Sequence, residues 1–164
     1  MKKALIVRGG TMKGAFAVGV LAVFHEVFGP NYFDVIYSSS VGVCEQTLFA
    51  SNQIAAMENG WRNLVTGKQL INFTNLFRGK SILDIDYLVG LYEFDGVQLN
   101  VEALQKARPN LFCIVTDYET KESVVMDLKK ENVFQVMRAT CAVPLLYNRK
   151  ILIRGRRYFD GSWS

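Results

Sequence analysis

Twice within its first fifty residues, this chain passes from a short apolar strand, through a turn of small residues, directly into a helix. The first passage runs from Ala4–Val7 through Gly9–Gly14, and the second from Phe33–Tyr37 through Ser38–Ser40 into Val41–Ala50. Strands that are apolar on both faces and alternate with helices are typical of parallel sheets covered by crossover helices. The pattern therefore predicts an α/β fold with a mainly parallel central sheet flanked by helices.

The rest of the chain continues this alternation. We predict helices over residues 53–64, 81–89 (with Ser81 as N-cap), 101–107 and 132–140, and strands over residues 111–116, 123–128, 151–153 and 157–159. Residues 66–82 look irregular. The helix over Ala15–Phe28 is apolar nearly all round, so we expect it to be buried against the sheet.

Bulk properties narrow the class of protein. With 164 residues, half of them hydrophobic, the chain forms one folded domain with its own core. A net charge of +4 is too small for a nucleic-acid binder but is compatible with an anionic lipid surface. The three cysteines lie among apolar residues, which indicates reduced thiols and a cytoplasmic location, with peripheral membrane contact left open. The sequence has no Cys/His cluster that predicts a zinc site and no secretory signal.

Ser40 is the best candidate for a nucleophile. It directly follows a strand and precedes a helix, with Gly42 two residues after it and Ser38 two residues before it. Acyl-transfer enzymes present their serine on such a sharp turn, where small flanking residues avoid crowding. The N-terminus of the following helix also directs backbone N–H groups at this point.

The base that would activate this serine is unlikely to be a histidine, because the chain has only one. His25 lies eleven residues past Gly14, about 16 Å along the first helix, so it should sit at the end far from the glycine-rich loop. A Ser-His-Asp triad is therefore disfavoured, and a carboxylate must deprotonate the serine directly. Asp160, in an Asp-Gly pair at the far end of the chain, is the candidate.

These segments together resemble the patatin-like phospholipases over essentially the whole chain. The family has a Gly-Gly-Gly-x-Arg/Lys-Gly loop, a Gly-x-Ser-x-Gly elbow and an Asp-Gly-Gly/Ala motif. The matching segments here are Gly9–Gly14, Ser38–Gly42 and Asp160–Ser162, in the same order and with the spacing of a bacterial member. Two further stretches, Thr116–Thr120 and Arg138–Pro144, also look like the family.

The resemblance implies a three-layer patatin-like fold and a Ser-Asp dyad, with Ser40 as nucleophile and Asp160 as base. It implies hydrolysis of carboxylic esters of phospholipids or lysophospholipids, with no metal or cofactor and with lipid as the partner. The residues that it assigns to the oxyanion and substrate are Gly9, Gly10, Thr11, Met12, Lys13 and Gly14. Because the chain ends four residues after Asp160, we expect a single domain over residues 1–164 that is shortened at its C-terminal end.

Two departures from the family pattern, together with the expected shortening of the C-terminal end, keep a second interpretation open. Thr11 stands for the third loop glycine and Ser38 for the first elbow glycine, whereas Ser162, in place of the second glycine after Asp160, is expected to be harmless. If the loop position requires a positive φ, the β-branched Thr11 is penalised there. The alternative is therefore a catalytically impaired scaffold that binds lipid or a protein partner without turnover.

More ordinary roles exist for each motif taken alone. A glycine-rich segment is often a plain strand-to-helix turn, Ser40 could be a helix N-cap, and an Asp-Gly pair is common in turns. Nucleotide binding through Gly9–Gly14 is disfavoured, because the P-loop spacing is absent. The order of all three motifs, rather than any one of them, favours the hydrolase.

Overall fold

The computed structural model describes residues 1–65, 69–94 and 96–163. Its centre is a six-stranded sheet in the order β1-β2-β3-β6-β5, with β4 paired to β3 outside this path. The strands are β1 Ala4–Val7, β2 Val35–Ser39, β3 Asn110–Asp117, β4 Ser123–Asp127, β5 Ile151–Ile153 and β6 Arg156–Asp160.

The sheet is mixed but mainly parallel, as predicted. β1, β2 and β3 pair in parallel, whereas β4 and β6 run antiparallel to β3. Because β5 is antiparallel to β6, it runs in the same direction as β3. Four of the six strands therefore share one direction, and the α/β class predicted from the sequence is confirmed.

Six α-helices accompany the sheet in the described part of the chain. They are α1 Gly14–Phe28, α2 Gly42–Ala50, α3 Ile54–Asn59, α4 Ile85–Glu93, α5 Val101–Lys106 and α6 Val133–Cys141. The last three begin at an Asp or Asn whose side chain accepts a backbone N–H of the first turn: Asp84, Asn100 and Asn132. Such N-caps satisfy donors that the helix itself leaves free.

The predicted N-cap at Ser81 is wrong. Residues before α4 are held extended, because the N–H of Leu83 donates to Leu146 O and that of Asp84 to Leu70 O. Helical dihedrals can therefore begin only after Asp84, whose carboxylate accepts from the N–H of Tyr87 at 2.8 Å. The Ser81 hydroxyl instead accepts from the N–H of Asn148.

The helix predicted over residues 53–64 divides into two parts. α3 ends at Asn59, and residues Gly60–Leu64 form a π-helical turn. π-Helical turns are uncommon and often occur at functional sites. This one brings Trp61 into the protein interior. Of the segment predicted to be irregular, residues 66–68 lie outside the described residues and Phe73–Arg78 forms a 3₁₀ helix.

The prediction that α1 is buried all round is wrong. Only Gly14, Val18 and Leu21 are buried, whereas the side chain of Phe16 is 79% exposed. The helix packs one narrow face on α2 and α3 and leaves its other apolar face open. Thr11–Phe28 has a mean hydropathy of 1.3 and meets a length and composition test for a membrane span, a test that core helices of soluble proteins also meet.

Candidate active site

Strand β3 is the element that brings the two ends of the chain together. Its residue Ile114 pairs with Ser39, the last residue of β2, and the next residue, Val115, pairs with Asp160, the last residue of β6. β2 and β6 therefore occupy the same edge of β3, one after the other. As a result Ser40, which leaves the sheet directly after β2, and Asp160 line one pocket.

Ser40 sits in a strained turn. Its φ of +50° lies in the left-handed region, which non-glycine residues rarely adopt. Its N–H donates to Thr140 Oγ1 at 2.7 Å, and the Thr140 hydroxyl donates to the carbonyl of Ile114, also at 2.7 Å. A buried threonine of α6 thus ties the turn to β3. Such a sharp strand-to-helix turn is the geometry of a nucleophile elbow.

Asp160 is a buried carboxyl group, only 3% exposed. Its Oδ1 accepts from the N–H of Ser162 at 2.8 Å, whereas its buried Oδ2 has no complete hydrogen bond with any described residue. Burial raises the pKa of Asp160, while the nearby hydroxyl of Ser40 and the contacts of Ser162 act in the opposite direction. A desolvated carboxylate facing a hydroxyl is a stronger base than one in water.

Two glycines allow the chain to pack closely at this site. A Cβ on Gly9 would collide with the side chain of Ser40 and the carbonyl of Ser39, and a Cβ on Gly42 would collide with the carbonyl of Val7. Neither glycine has a left-handed φ, so glycine is required there because no side chain would fit, and not because of the backbone conformation. The first turn of α2 therefore packs directly on the end of β1.

Only the first half of the segment predicted to form the oxyanion loop lines this pocket. Gly9, Gly10 and Thr11 line it, whereas Met12, Lys13 and Gly14 do not; they complete a 3₁₀ turn and begin α1. The N–H groups of Gly9 and Gly10 form no hydrogen bond within the described part of the chain. Thr11 has a φ of +52°, so a β-branched residue occupies a conformation that favours glycine.

Ser38 fits beneath the turn without crowding it. It is buried, and its hydroxyl donates to Oε1 of Gln46, whose Nε2 in turn donates to the carbonyl of Ile36 at 2.8 Å. A serine replaces the elbow glycine here because α2 supplies a polar partner for its hydroxyl. The strand itself lies two residues later than predicted, since Ser38 and Ser39 both pair with β3. Cross-strand pairing has overridden the weak strand propensity of serine.

An apolar cleft adjoins the pocket. Thr11, Ser40 and Val143 line both, so the two spaces meet at the candidate nucleophile. The space inside the cleft is small, about 30 Å³, because its walls lie close together. Its remaining walls are apolar or aromatic and come from the π-helical turn, α4, the segment between them, the start of α2 and the end of α6: Val41, Trp61, Leu70, Leu83, Ile85, Leu88 and Cys141.

Similarity to known proteins identifies the family. Residues 5–164 match the family model described as patatin-like phospholipase. The chain belongs to the patatin-like phospholipase family. Lipid hydrolysis is the general activity of this family.

Two relatives of this patatin-like domain show how far the likeness extends. The uncharacterized protein YjjU of Escherichia coli K12 is 28% identical over 172 residues, which cover 98% of this chain and 45% of YjjU. The crystal structure of VipD from Legionella pneumophila has the same fold, with a TM-score of 0.67 and 14% identity over 98% of this chain and 46% of VipD. The patatin-like domain thus spans about half the length of the relatives that it matches.

Two residues that the sequence analysis did not single out, Glu45 and Trp61, pack together beside the apolar cleft of this patatin-like domain. Glu45 on α2 is completely buried, and neither of its carboxyl oxygens has a geometrically complete hydrogen bond with a described residue. Burial raises the pKa of Glu45 to about 8, against opposing effects of its own backbone and of the nearby Trp61 indole. A Cβ on Gly14 would collide with both Glu45 and Trp61, so this pair packs against the start of α1. The only sequence signal is a carboxylate in the first turn of a helix whose other polar side chains, Gln46 and Thr47, are uncharged.

His25 lies away from the pocket, as expected from its position on α1. Its Nε2 is 2.5 Å from Oδ1 of Asn52, and its ring packs edge-on against Phe49. Among the residues that the structure describes, no group of three or more His, Cys, Asp or Glu side chains is placed to hold a metal ion.

Proposed function

We propose that this chain is a serine acyl hydrolase that cleaves carboxylic esters of phospholipids or lysophospholipids, with Ser40 as nucleophile and Asp160 as base. The observation that carries the proposal is the meeting of a strained serine and a buried carboxyl group in one pocket. Burial raises the pKa of Asp160, and the neighbouring Ser40 hydroxyl offsets part of this increase. Family membership supports the reaction class.

In the first half of the reaction, Asp160 takes the proton of the Ser40 hydroxyl as Oγ attacks the ester carbonyl carbon. The N–H groups of Gly9, Gly10 and Thr11 stabilise the negative oxygen of the tetrahedral intermediate. When this intermediate collapses, the bond to the leaving alkoxide breaks, and the proton held by Asp160 passes to the leaving oxygen. The product of this half-reaction is an acyl ester on Ser40.

In the second half, water attacks the acyl-enzyme and gives its proton to Asp160. The tetrahedral intermediate uses the same N–H donors and then releases a fatty acid, while the proton returns to Ser40 Oγ. We expect the acyl chain to enter the apolar cleft beside Ser40, whose walls, which include Leu83 and Leu88, must move apart to admit it. Burial of methylene groups there supplies binding free energy of about 0.8 kcal/mol per group.

A scaffold that binds lipid without turnover is the second candidate. Thr11 favours it, because a β-branched residue with φ of +52° stands where an oxyanion donor is required. A small displacement of this N–H group from the oxyanion position would greatly slow acylation. In that case the cleft would still take an acyl chain.

A fluorophosphonate probe distinguishes the two candidates. We expect the wild-type chain to be labelled at Ser40, and Ser40→Ala and Asp160→Asn to lose labelling. Ser39→Ala is the matched control, since it removes the neighbouring hydroxyl, which contacts Ser162 Oγ at 3.1 Å, and should leave labelling in place. A folded wild-type chain that resists the probe would favour the binding scaffold; labelling that persists in Ser40→Ala would refute the assignment of the nucleophile.

A further inference from the structure

A second, wider groove begins where the candidate active site ends. It has an empty volume of about 990 Å³, including its open side, and its walls include Tyr118, Lys121, Arg157 and Phe159. Trp163 lines both this groove and the pocket of Ser40 and Asp160, so the two spaces are neighbours. Nothing in the reaction described above uses this groove.

Two cations are held in the groove against one aromatic ring. The guanidinium carbon of Arg157 lies 3.6 Å from the ring centroid of Tyr118, and Nζ of Lys121 lies 3.9 Å from the same centroid. Neither side chain forms an ion pair with a carboxylate among the described residues; Asp117 is paired with Arg156 at 2.8 Å, and Nζ of Lys121 donates to the carbonyl of Tyr118. A guanidinium stacked on a ring keeps its in-plane N–H donors free for an anion.

Hydrogen bonds from the backbone hold the turn that carries Lys121 in place. Oδ1 of the buried Asp117 accepts from the N–H groups of Glu119 and Thr120, which fixes the turn between β3 and β4. Lys121 ends this turn with a φ of +62°, and its N–H donates to the carbonyl of Asp117. A lysine held in the left-handed region is strained, and such strain is concentrated at binding sites.

We infer that the groove binds the phosphate group of the substrate, so that Lys121 and Arg157 select anionic monoacyl lipids over neutral esters. The inference rests on the proposed function, because it places the acyl chain in the apolar cleft, the ester at Ser40 and the phosphate beyond Trp163. Lysine and arginine donate charge-assisted hydrogen bonds to phosphate oxygens, and each such bond is stronger than a neutral one. Aromatic walls suit the glycerol carbons between ester and phosphate.

Calorimetry tests the groove independently of catalysis. Glycerol 3-phosphate is titrated into Ser40→Ala protein, with and without the additional changes Lys121→Gln and Arg157→Gln. We expect binding to Ser40→Ala and about tenfold or greater weakening in the triple variant, since two charge-assisted bonds are removed. The control adds Lys130→Gln and Arg154→Gln, which remove the same charge from exposed residues paired with Asp127 and Glu131. No binding to Ser40→Ala, or equal weakening in the control, would overturn the inference.

Hydrolysis shows whether the phosphate belongs to the lipid. Hexanoyl glycerol 3-phosphate and hexanoylglycerol share the acyl chain and differ in the phosphate. We expect Lys121→Gln/Arg157→Gln to reduce the ratio of their kcat/KM values about tenfold or more, mainly through KM of the anionic ester. An unchanged ratio, with binding of glycerol 3-phosphate and inorganic phosphate still lost, would make the groove a free-phosphate site. Failure of the proposed function looks different, because then neither ester is cleaved and Ser40 is not labelled.

Discussion

The backbone N–H of Ser40 donates to the hydroxyl of Thr140 at 2.7 Å, across one hundred residues of sequence. Because the same hydroxyl donates to Ile114 O, one side chain connects the turn of Ser40, helix α6 and strand β3. Both atoms of the bond are buried, so the strained conformation of Ser40 depends on this partner.

Replacement of Thr140 with valine should therefore loosen the turn. The buried N–H of Ser40 and the carbonyl of Ile114 would each lose a partner, and we expect the free energy of unfolding to fall by about 1–3 kcal/mol. Fluorophosphonate labelling should slow as well. Thr140→Ser keeps the hydroxyl and is the matched control. If Thr140→Val were labelled as fast as Thr140→Ser, the hydroxyl would not position Ser40.

Gly9→Ala should abolish labelling, because its new Cβ would overlap the side chain of Ser40. Gly19, on the exposed face of α1, offers the contrast: a Cβ there meets nothing within 4 Å. Since alanine favours a helix over glycine, we expect Gly19→Ala to be labelled normally and to gain about 0.5–1 kcal/mol of stability. The two variants are compared by probe labelling and by urea unfolding. Normal labelling of Gly9→Ala would contradict the close packing at the turn.

Asp160→Asn should stabilise the fold while it abolishes labelling. The pKa of Asp160 is raised by burial, so folding is penalised at any pH at which the carboxyl group is ionised in the unfolded chain. We expect the variant to be more stable than wild type at pH 7, a gain that disappears below the ordinary pKa of aspartate. Thermal unfolding at pH 3.5 and pH 7 measures it.

Asp117→Asn is the control for this stability measurement, because the pKa of Asp117 is shifted in the opposite direction to that of Asp160. The pKa of Asp117 is lowered by hydrogen bonds from the N–H groups of Thr120 and Glu119 and by Arg156. Its ionised form therefore stabilises the fold, and this contribution is lost as the pH falls through the folded pKa. Asp117→Asn should be less stable than wild type at pH 7. A loss of stability in both variants would contradict the desolvation of Asp160.

Glu45 should make stability fall as the pH rises. Its pKa is about 8 in the folded state, against 4.5 as the ordinary value, so between these limits only the unfolded chain releases the proton. Compared with Glu45→Gln, the wild-type chain should lose up to about 4 kcal/mol between pH 4.5 and pH 8. Urea unfolding of both chains across this range checks it; parallel curves would mean that Glu45 is ionised when folded.

Thr11→Gly should relieve backbone strain. A residue with a side chain in the left-handed region costs about 1–3 kcal/mol, part of which is offset by the greater freedom of glycine in the unfolded chain. We expect a net gain of about 1 kcal/mol in urea unfolding. Gln98→Gly, at an exposed residue with a φ of +46°, should gain stability without changing labelling. Faster labelling in Thr11→Gly alone would show that Thr11 impairs the oxyanion loop.

Much of the fold is predictable from the sequence because local physics sets it. Ala4–Val7 forms a strand as predicted, but the prediction that it is fully buried is wrong: it lies at the sheet edge, only Val7 is buried and Ile6 is 75% exposed. Asn132 before α6 is a strong N-cap. The failures occur where tertiary contacts outweigh local preference. Ser81 loses the N-cap to Asp84, since pairing with distant carbonyls keeps the intervening residues extended.

Burial is the property that the sequence predicted least well. α1 is apolar on all sides, yet its burial depends on which elements lie near it, and Phe16 faces outward. For Glu45 the error has the opposite sign: a carboxylate is expected at the surface, whereas this one lies wholly inside the protein. Periodicity describes a helix alone and contains no information on what the helix packs against.

The sequence by itself determined the alternation of strands and helices and the family, and it singled out Ser40 and Asp160 as candidates for nucleophile and base, because each of these depends on short local motifs. Only the tertiary structure decided that Ser40 and Asp160 line one pocket. That meeting depends on β3, where Ile114 pairs with Ser39 and Val115 with Asp160. Strand register is fixed by the sum of many cross-strand and core contacts, and no local segment encodes it.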